Sequence, residues 1–339
     1  MFISIIIPHW NGIDVLSECL ESLKKSTYHD KEIIVVDNAS SDGSQEWIKD
    51  NHPNIILIEN DQNYGYAGGC NRGVSIAKGE WLLFLNNDTI QEPDWLEHLA
   101  KAVENNDDVV AIQPKIRNYY DRKLFDYAGG AGGHLDLFCF PFAKGRIFLN
   151  QEEDNGQYDT ADDIFWASGT AIMVRKDAFE AAHGFDETFF AHQEEIDLCW
   201  RFQLMGKRIV FEPNAVVYHK NAVSLPMYSS RKYYLNHRNS FLMLLTNYNL
   251  PLTLYFLPVR IVLEGVAIVY ALFKWDLKHF GAVCKSLFWL ITHPFIILKK
   301  RRLVRKVRIK NDRDILQKFY RGSIVFAHYI CGIKKYSDL

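Results

Sequence analysis

Asn86, Asn87 and Asp88 follow directly on the apolar run Trp81 to Leu85. Oxygen-bearing side chains at the mouth of a buried strand suit Mg2+ or Mn2+ held partly through substrate phosphates, although the same string also fits a strand-end turn with no ion. Asp37 closes a second apolar run, IIVV. A carboxylate there can accept the imide N–H of a uracil or thymine ring, or it can close a turn on nearby backbone N–H groups. A third run ends in Pro8, His9, Trp10 and Asn11, and NYGYAGGCNRG (Asn63 to Gly73) sets four glycines beside Asn71 and Arg72. Glycines such as Gly68 let a backbone approach a ligand closely, and Asn71 and Arg72 have the reach for phosphate or sugar oxygens. Further on, Glu194 and Glu195 open a segment whose apolar stripe is Ile196, Cys199, Trp200 and Leu204, closed by Gly206. That is a helix with its carboxylates at the N-terminus, where they complement the dipole.

The elements that position these groups alternate. Short β-branched runs at 3–7, 33–36, 55–58, 81–85 and 109–112 are separated by segments of helical period such as 14–25 and 93–104, with Pro93 placed for a first helical turn. This is βαβ punctuation and implies a mostly parallel sheet, whose carboxyl edge is where open α/β folds bind ligands. No G-x-G-x-x-G follows either of the first two strands, which argues against a dinucleotide oxidoreductase. Residues 118–163 are rich in Gly, Asp and aromatics and have little period, so they read as an excursion with short strands that covers one side of the site. Strand patterning resumes at 172–174, 209–211 and 216–218.

The chain has 339 residues, 48% hydrophobic and 24% charged, the composition of packed globular domains rather than disorder or coiled coil. Its net charge of −2 hides an asymmetry. Residues 1–220 hold 19 basic and 36 acidic side chains, a charge of −17, and the remainder hold 20 and 5, a charge of +15. After about Ser224 the composition shifts toward Leu, Phe, Tyr, Ile and Arg, and 299–310 carries eight basic residues in twelve. Apolar stretches beside such a cluster imply helices lying on an anionic membrane surface; a small helical domain with a solvated basic face is the alternative. Pro258, Arg260 and Glu264 interrupt 250–273, and 286–298 is short, so neither is expected to span a bilayer. The six cysteines form no C-x-x-C pair, and the N-terminus has no basic n-region. These features fit a reducing, cytoplasmic setting. The strongly acidic first part argues against a nucleic-acid partner.

Taken in order, these segments resemble the inverting GT-A glycosyltransferases of family 2, over about residues 2–240, and most closely their bacterial rhamnosyltransferase-like branch. The resemblance implies an α/β GT-A fold, a mixed sheet flanked by helices, over 1–224, with a nucleotide-sugar half to about 117 and an acceptor half from 118. A basic, helical, membrane-associating region follows over 225–339. Pro8, Trp10, Asn11, Asp37, Gly68, Asn71, Arg72 and Asn87 fall where the family binds its nucleotide-sugar. Asp88, in the D-x-D-type position, and His219 fall where it holds a divalent cation. IFWASGTAIMVRKDAF and GFDETFFAHQEEIDLCWR match the acceptor-side strand and the loop to the catalytic acidic pair, which points to Trp166, Gly169 and His192 around the acceptor. The pair is Glu194 and Glu195; the family's second member is usually Asp and acts as general base, so a Glu at 195 needs the backbone or the acceptor set back by one methylene, and Glu194 is the reserve candidate for the base. Asp197 is assigned to orienting Arg201, and Arg238 with Asn239 matches an RN element able to neutralise a diphosphate. The implied reaction moves a sugar, best L-rhamnose from dTDP-L-rhamnose, to a lipid-linked saccharide at the cytoplasmic face, with a homo-oligomer as an open alternative to a single chain. A UDP-sugar transferase of the same fold, a sugar nucleotidyltransferase and a catalytically dead nucleotide-sugar-binding scaffold are the competing readings. No Q-x-x-R-W string marks a processive synthase.

Overall fold

The computed structural model describes residues 1–221 and 228–339. The expected boundary at 224 and 225 lies outside them. Among the described residues thirteen strands form: β1 (Ile3–His9), β2 (Lys31–Asp37), β3 (Ile56–Glu59), β4 (Trp81–Leu85), β5 (Thr89–Gln91), β6 (Val109–Asn118), β7 (Gly133–Leu135), β8 (Pro141–Ala143), β9 (Arg146–Ile147), β10 (Asn150–Gln151), β11 (Asp162–Asp163), β12 (Ala171–Arg175) and β13 (Arg208–His219). Nine make one sheet, in the order β11-β13-β6-β12-β4-β1-β2-β3 with β5 on β13. The β4-β1-β2-β3 half is parallel, as the βαβ spacing requires, but β12 runs antiparallel between β4 and β6. The two apolar runs near 209–211 and 216–218 are one strand, β13, whose pairing with β6 shifts register between Glu212 and Val216. The aperiodic 118–163 segment carries the second sheet, β10-β9-β8-β7.

Twelve α-helices among the described residues flank these strands: α1 (Ile13–Lys24), α2 (Ser44–Asn51), α3 (Gly65–Val74), α4 (Trp95–Val103), α5 (Lys176–Ala181), α6 (Glu194–Leu204), α7 (Ser230–Asn247), α8 (Leu250–Phe273), α9 (Leu277–Thr292), α10 (Pro294–Val307), α11 (Asp312–Leu316) and α12 (Ile324–Tyr329). Alternation along the central strands divides the core. Ile5, Ile7, Leu83 and Leu85 face α1 and α4, through Leu16, Leu20, Trp95 and Leu99. Ile6, Val36, Leu82 and Phe84 face the other way, into a core that contains α6 and also Leu242, Tyr248, Phe256 and Phe319 from the C-terminal part. Trp200 of α6 packs edge-on against Tyr248 and Phe319, with ring centroids 4.9 and 5.1 Å away.

Three local expectations change. Pro93 precedes α4, which starts at Trp95 with Asp94 at its cap; the Pro93 carbonyl instead accepts the Thr27 N–H at 2.9 Å. The Gly-rich segment forms the helix α3, and Gly65 and Gly73 serve its packing. A Cβ at Gly73 would lie 2.5 Å from Ile6 Cγ2 on β1, and one at Gly65, where φ is +73°, would meet the Phe190 carbonyl. Finally, α8 is one unbroken helix of 24 residues, long and apolar enough by length and composition to cross a membrane. Arg260 and Glu264 do not interrupt it, because they pair with each other at 2.6 Å on its protein-facing side, 0% and 1% exposed. Its other side presents Leu254, Tyr255, Val262, Val266 and Val269, and α9 turns into α10 through 74°. In the basic run, Lys300 pairs with Asp186 and Arg308 with Asp312, while Lys299, Arg302, Arg305, Lys306 and Lys310 are exposed. Gly73→Ala should destabilise the protein by about 1–3 kcal/mol through overpacking of α3 on β1. Denaturant unfolding of the variant checks this; unchanged stability would mean that α3 is free to move off the sheet.

Candidate active site

The site lies at the carboxyl edge of the parallel strands. Asp88 follows β4 and is 6% exposed. His219, at the end of β13, sets Nε2 3.1 Å from Asp88 Oδ1 and Nδ1 3.0 Å from Asp126 Oδ1. The approach to Asp88 is a charge contact rather than an aligned hydrogen bond, and Oδ1 remains a buried oxygen with no hydrogen-bond partner. Burial works against a charged imidazole, but the flanking carboxylates outweigh it and hold His219 up at about 10. Burial likewise opposes ionisation of Asp88, and the His219 charge overrides it to keep that carboxyl low. Asp126, fully buried, is further fixed by the Asn221 amide and the Ala128 N–H. Among the described residues no group of three or more His, Cys, Asp or Glu side chains is arranged to hold an ion alone. Asp88 and His219 supply two ligands, one of them carrying an unsatisfied oxygen, and fit an ion completed by substrate oxygens.

Next to Asp88, the Asn87 amide meets His9 Nδ1 at 2.9 Å, and His9 Nε2 meets Ser44 Oγ at 2.9 Å. Ser44 continues to Asp42, whose Oδ2 accepts the Gly12 N–H at 2.6 Å. Burial lowers the His9 pKa despite Asp37 and Asp42 nearby. Asn11, at φ +56°, takes the Ser41 N–H on its side chain and gives its own N–H to Ser40, so the loops after β1 and β2 are laced together. Asp37 is fully buried. Its Oδ1 accepts from the Ser40 N–H and Gln45 at 2.9 and 2.6 Å, while Oδ2 has no partner. Half of the carboxylate thus closes the local turn, and half is available. Trp10 stands 44% exposed beside it, and Pro8 lies against Gly69 of α3.

In α3, the Asn71 side chain is fully engaged, donating to the Phe185 carbonyl at 2.8 Å and to Glu187 and accepting the Phe185 N–H. Arg72 lies 3.3 Å over the Tyr64 ring and donates to the Gly68 carbonyl. Tyr66 donates to the Gly169 carbonyl at 2.5 Å. Because β12 runs antiparallel beside β4, the Thr170 carbonyl receives the Asn86 N–H at 2.9 Å. Thus the Ser168–Thr170 turn ties the Asp88 side of the site to the acidic pair. Trp166 is buried on Gly133, its indole N–H given to the His134 carbonyl, so it anchors the second sheet and presents no free polar atom.

Glu194 and Glu195 begin α6, each with a buried, unpartnered Oε2. Burial pushes Glu194 well up, and the neighbouring Glu195 charge adds to it. Burial also raises Glu195, to about 7, against the pull of backbone amides that include Gly169 and Gln193. The loop in front of them is strained, with Phe190, His192 and Gln193 all at φ between +65° and +71°. His192 has a buried Nε2 without a partner, and burial with nearby Lys232 holds its ring neutral, at about 3. The loop is held from α7. Asn239, fully buried, donates to the carbonyls of Phe189, Ala191 and His192 at 3.2, 3.0 and 2.6 Å. Arg238 donates to the carbonyls of Thr188 and Phe189 at 2.8 and 2.9 Å and to Asn239 Oδ1 at 2.9 Å. Asp197 pairs with Arg201 at 2.8 Å, in the orienting role its spacing implied.

His9, Asp126 and the holding role of Asn239 were not read from the sequence. The strand-end position of His9 was a usable signal. Asp126 sits in an aperiodic segment, and the Asn239 contact spans 47 residues, so neither had a local one.

Residues 4–182 match the family model "Glycosyl transferase family 2". Glycosyltransferase GlyG of Streptococcus pneumoniae serotype 4 is 28% identical over 235 residues, covering 66% of this chain and 72% of that protein. The N-acetylglucosaminyl-diphospho-decaprenol L-rhamnosyltransferase of Mycobacterium tuberculosis is 25% identical over 245 residues, 68% and 79% of the two chains. Mannosyltransferase PcManGT of Pyrobaculum calidifontis, solved with GDP-Man and Mn2+, superposes with a TM-score of 0.52 at 16% identity, over 92% of this chain and 87% of that one. That last likeness is one of fold, the GT-A arrangement of a mixed sheet flanked by helices. With more than half of its length matched by the family model, the chain belongs to glycosyl transferase family 2 and is a glycosyltransferase.

Proposed function

We propose that the chain moves a sugar, L-rhamnose from dTDP-L-rhamnose as the best choice, onto a lipid-linked saccharide, with inversion at the anomeric carbon, in the synthesis of a cell-surface polysaccharide. The observation that carries the reading is the pairing of two unsatisfied buried groups at one sheet edge: the Asp88 oxygen beside His219, and the Glu194–Glu195 pair joined to it through Asn86, Thr170 and Gly169. The rhamnosyltransferase relative, whose name specifies a diphospho-decaprenol-linked substrate, supports donor and acceptor class.

Asp37 and the Pro8, Trp10 and Asn11 loop receive the base and ribose. Gly68, Arg72 and Asn87 face the sugar diphosphate, and Asn71 fixes the α3 end that presents them. Asp88 and His219 would hold a divalent cation, His219 giving up its proton, and the bound ion would supply positive charge for the departing diphosphate. Burial and the charge of its neighbour both raise Glu194, which favours its protonated form. Glu195 is then the group that ionises near 7 and takes the proton of the attacking hydroxyl, while Gly169 and His192 shape the acceptor side. The exposed apolar flank of α8 and the free cations of α10 lie on the anionic inner face of the cell membrane, where lipid-linked acceptors are presented.

Two measurements test this. Calorimetric binding of dTDP, UDP and GDP should show one nucleotide bound in a Mn2+-dependent way and weakened about 10- to 100-fold by Asp88→Ala; binding of none would overturn the transferase site. The rate of transfer should rise with pH through about 7, because the working form of Glu195 is the deprotonated one. Glu195→Gln should lower that rate by about 10² to 10⁴ while leaving nucleotide binding intact, and a flat pH profile or an active variant would remove Glu195 as the base.

A further inference from the structure

A cavity of about 530 Å³ opens between α7, α9 and the start of the strained loop. Its walls include Arg231, Arg238, Lys285, Tyr234, Phe190 and Ser230, three cations and no carboxylate. Aromatic faces carry these cations: the Arg231 guanidinium lies 4.3 Å from the Phe190 ring centroid, and Lys285 and Arg238 lie 5.0 and 5.2 Å from that of Tyr234. Among the described residues none of the three has a carboxylate within ion-pair distance, and 222–227 contain no Asp or Glu. Ser230 and Arg231 also form the first turn of α7, an 18-residue helix with no acidic residue there. The positive end of a helix dipole disfavours a cation and favours an anion, so Arg231 is costly at that place unless a negative ligand shares it.

We propose that this cavity is a phosphate-binding subsite that receives the diphosphate of the lipid-linked acceptor. The inference rests on the acceptor class proposed above and adds the residues that recognise it. Arg238 is largely occupied in holding the Thr188 and Phe189 carbonyls, which leaves Arg231 and Lys285, both exposed, as the groups that grip the phosphates. Geometry favours the acceptor over the donor. The donor diphosphate belongs with Asp88 and His219, whereas Phe190 begins the loop that runs into Glu194 and Glu195, and Lys285 is on α9, one turn from the exposed Phe288. A lipid tail lying along the apolar flank of α9 then puts its diphosphate in the cavity and its sugar toward the base.

The test is binding of farnesyl diphosphate to the full chain, with farnesol as the phosphate-free control, in wild type, Arg231→Gln, Lys285→Gln and the double variant. Each lost charge should weaken farnesyl diphosphate roughly tenfold, with farnesol and Mn2+-nucleotide binding unchanged; the retained nucleotide binding also shows that the variants are folded. Equal affinity across the variants, or no farnesyl diphosphate binding by a chain that binds nucleotide, overturns the subsite. So does a loss confined to phosphatidylglycerol vesicles, which assigns the cations to bilayer headgroups. Failure of every nucleotide to bind would instead count against the transferase reading itself.

Discussion

A buried glutamate and a half-buried one side by side at the start of α6, each with a buried oxygen, are the constraint around which the candidate active-site half of the protein is organised. Like charges in a low-dielectric setting repel, and each pair member keeps an oxygen with no partner. Such an arrangement persists only if its surroundings leave it no alternative. The backbone in front of it is forced through three residues at positive φ, and nothing in that loop's own sequence favours the conformation. Asn239 and Arg238 supply what is missing, by taking up the carbonyls that the turn leaves pointing inward. The helix carrying them belongs to the basic C-terminal part, yet its residue Leu242, and Tyr248 directly after it, lie in the same core as α6. The C-terminal part is therefore a wall of the candidate active site.

Sheet topology does the rest. An antiparallel β12 set between β4 and β6 carries the Gly169–Thr170 turn back to the end of β4, so the group expected to meet a cation and the group expected to meet the acceptor share one turn of backbone. The charge on His219 follows from the same convergence. Asp88 comes from the loop after β4, His219 from β13, and Asp126 from the excursion before the second sheet. None of the three environments exists until the sheet closes.

The strands were legible because burial on both faces writes them as unbroken apolar runs, and β4, WLLFL, is buried throughout. Asp88, Asp37 and Glu195 were legible for a related reason: strand ends and helix starts are the places where polar side chains gather. What the sequence hid is non-local. Gly73 of α3 looks like part of a ligand loop, but it packs against the Ile6 side chain 67 residues earlier. Arg260 and Glu264 look like breaks in an apolar stretch, and only the folded helix shows them neutralising each other against the protein. Trp166, expected near the acceptor, lies buried on Gly133 and pins the second sheet through its indole N–H.

The claim that the C-terminal helix holds the base is best tested by Asn239→Asp, which keeps the side chain's shape and removes its N–H donors. The account predicts a fall in kcat of about 10- to 100-fold with nucleotide affinity unchanged. It also predicts partial recovery when Gln193→Gly is added, because glycine holds the left-handed backbone of that loop at little cost. An unaltered kcat, or a loss of rate and nucleotide affinity together that Gln193→Gly leaves untouched, would contradict it.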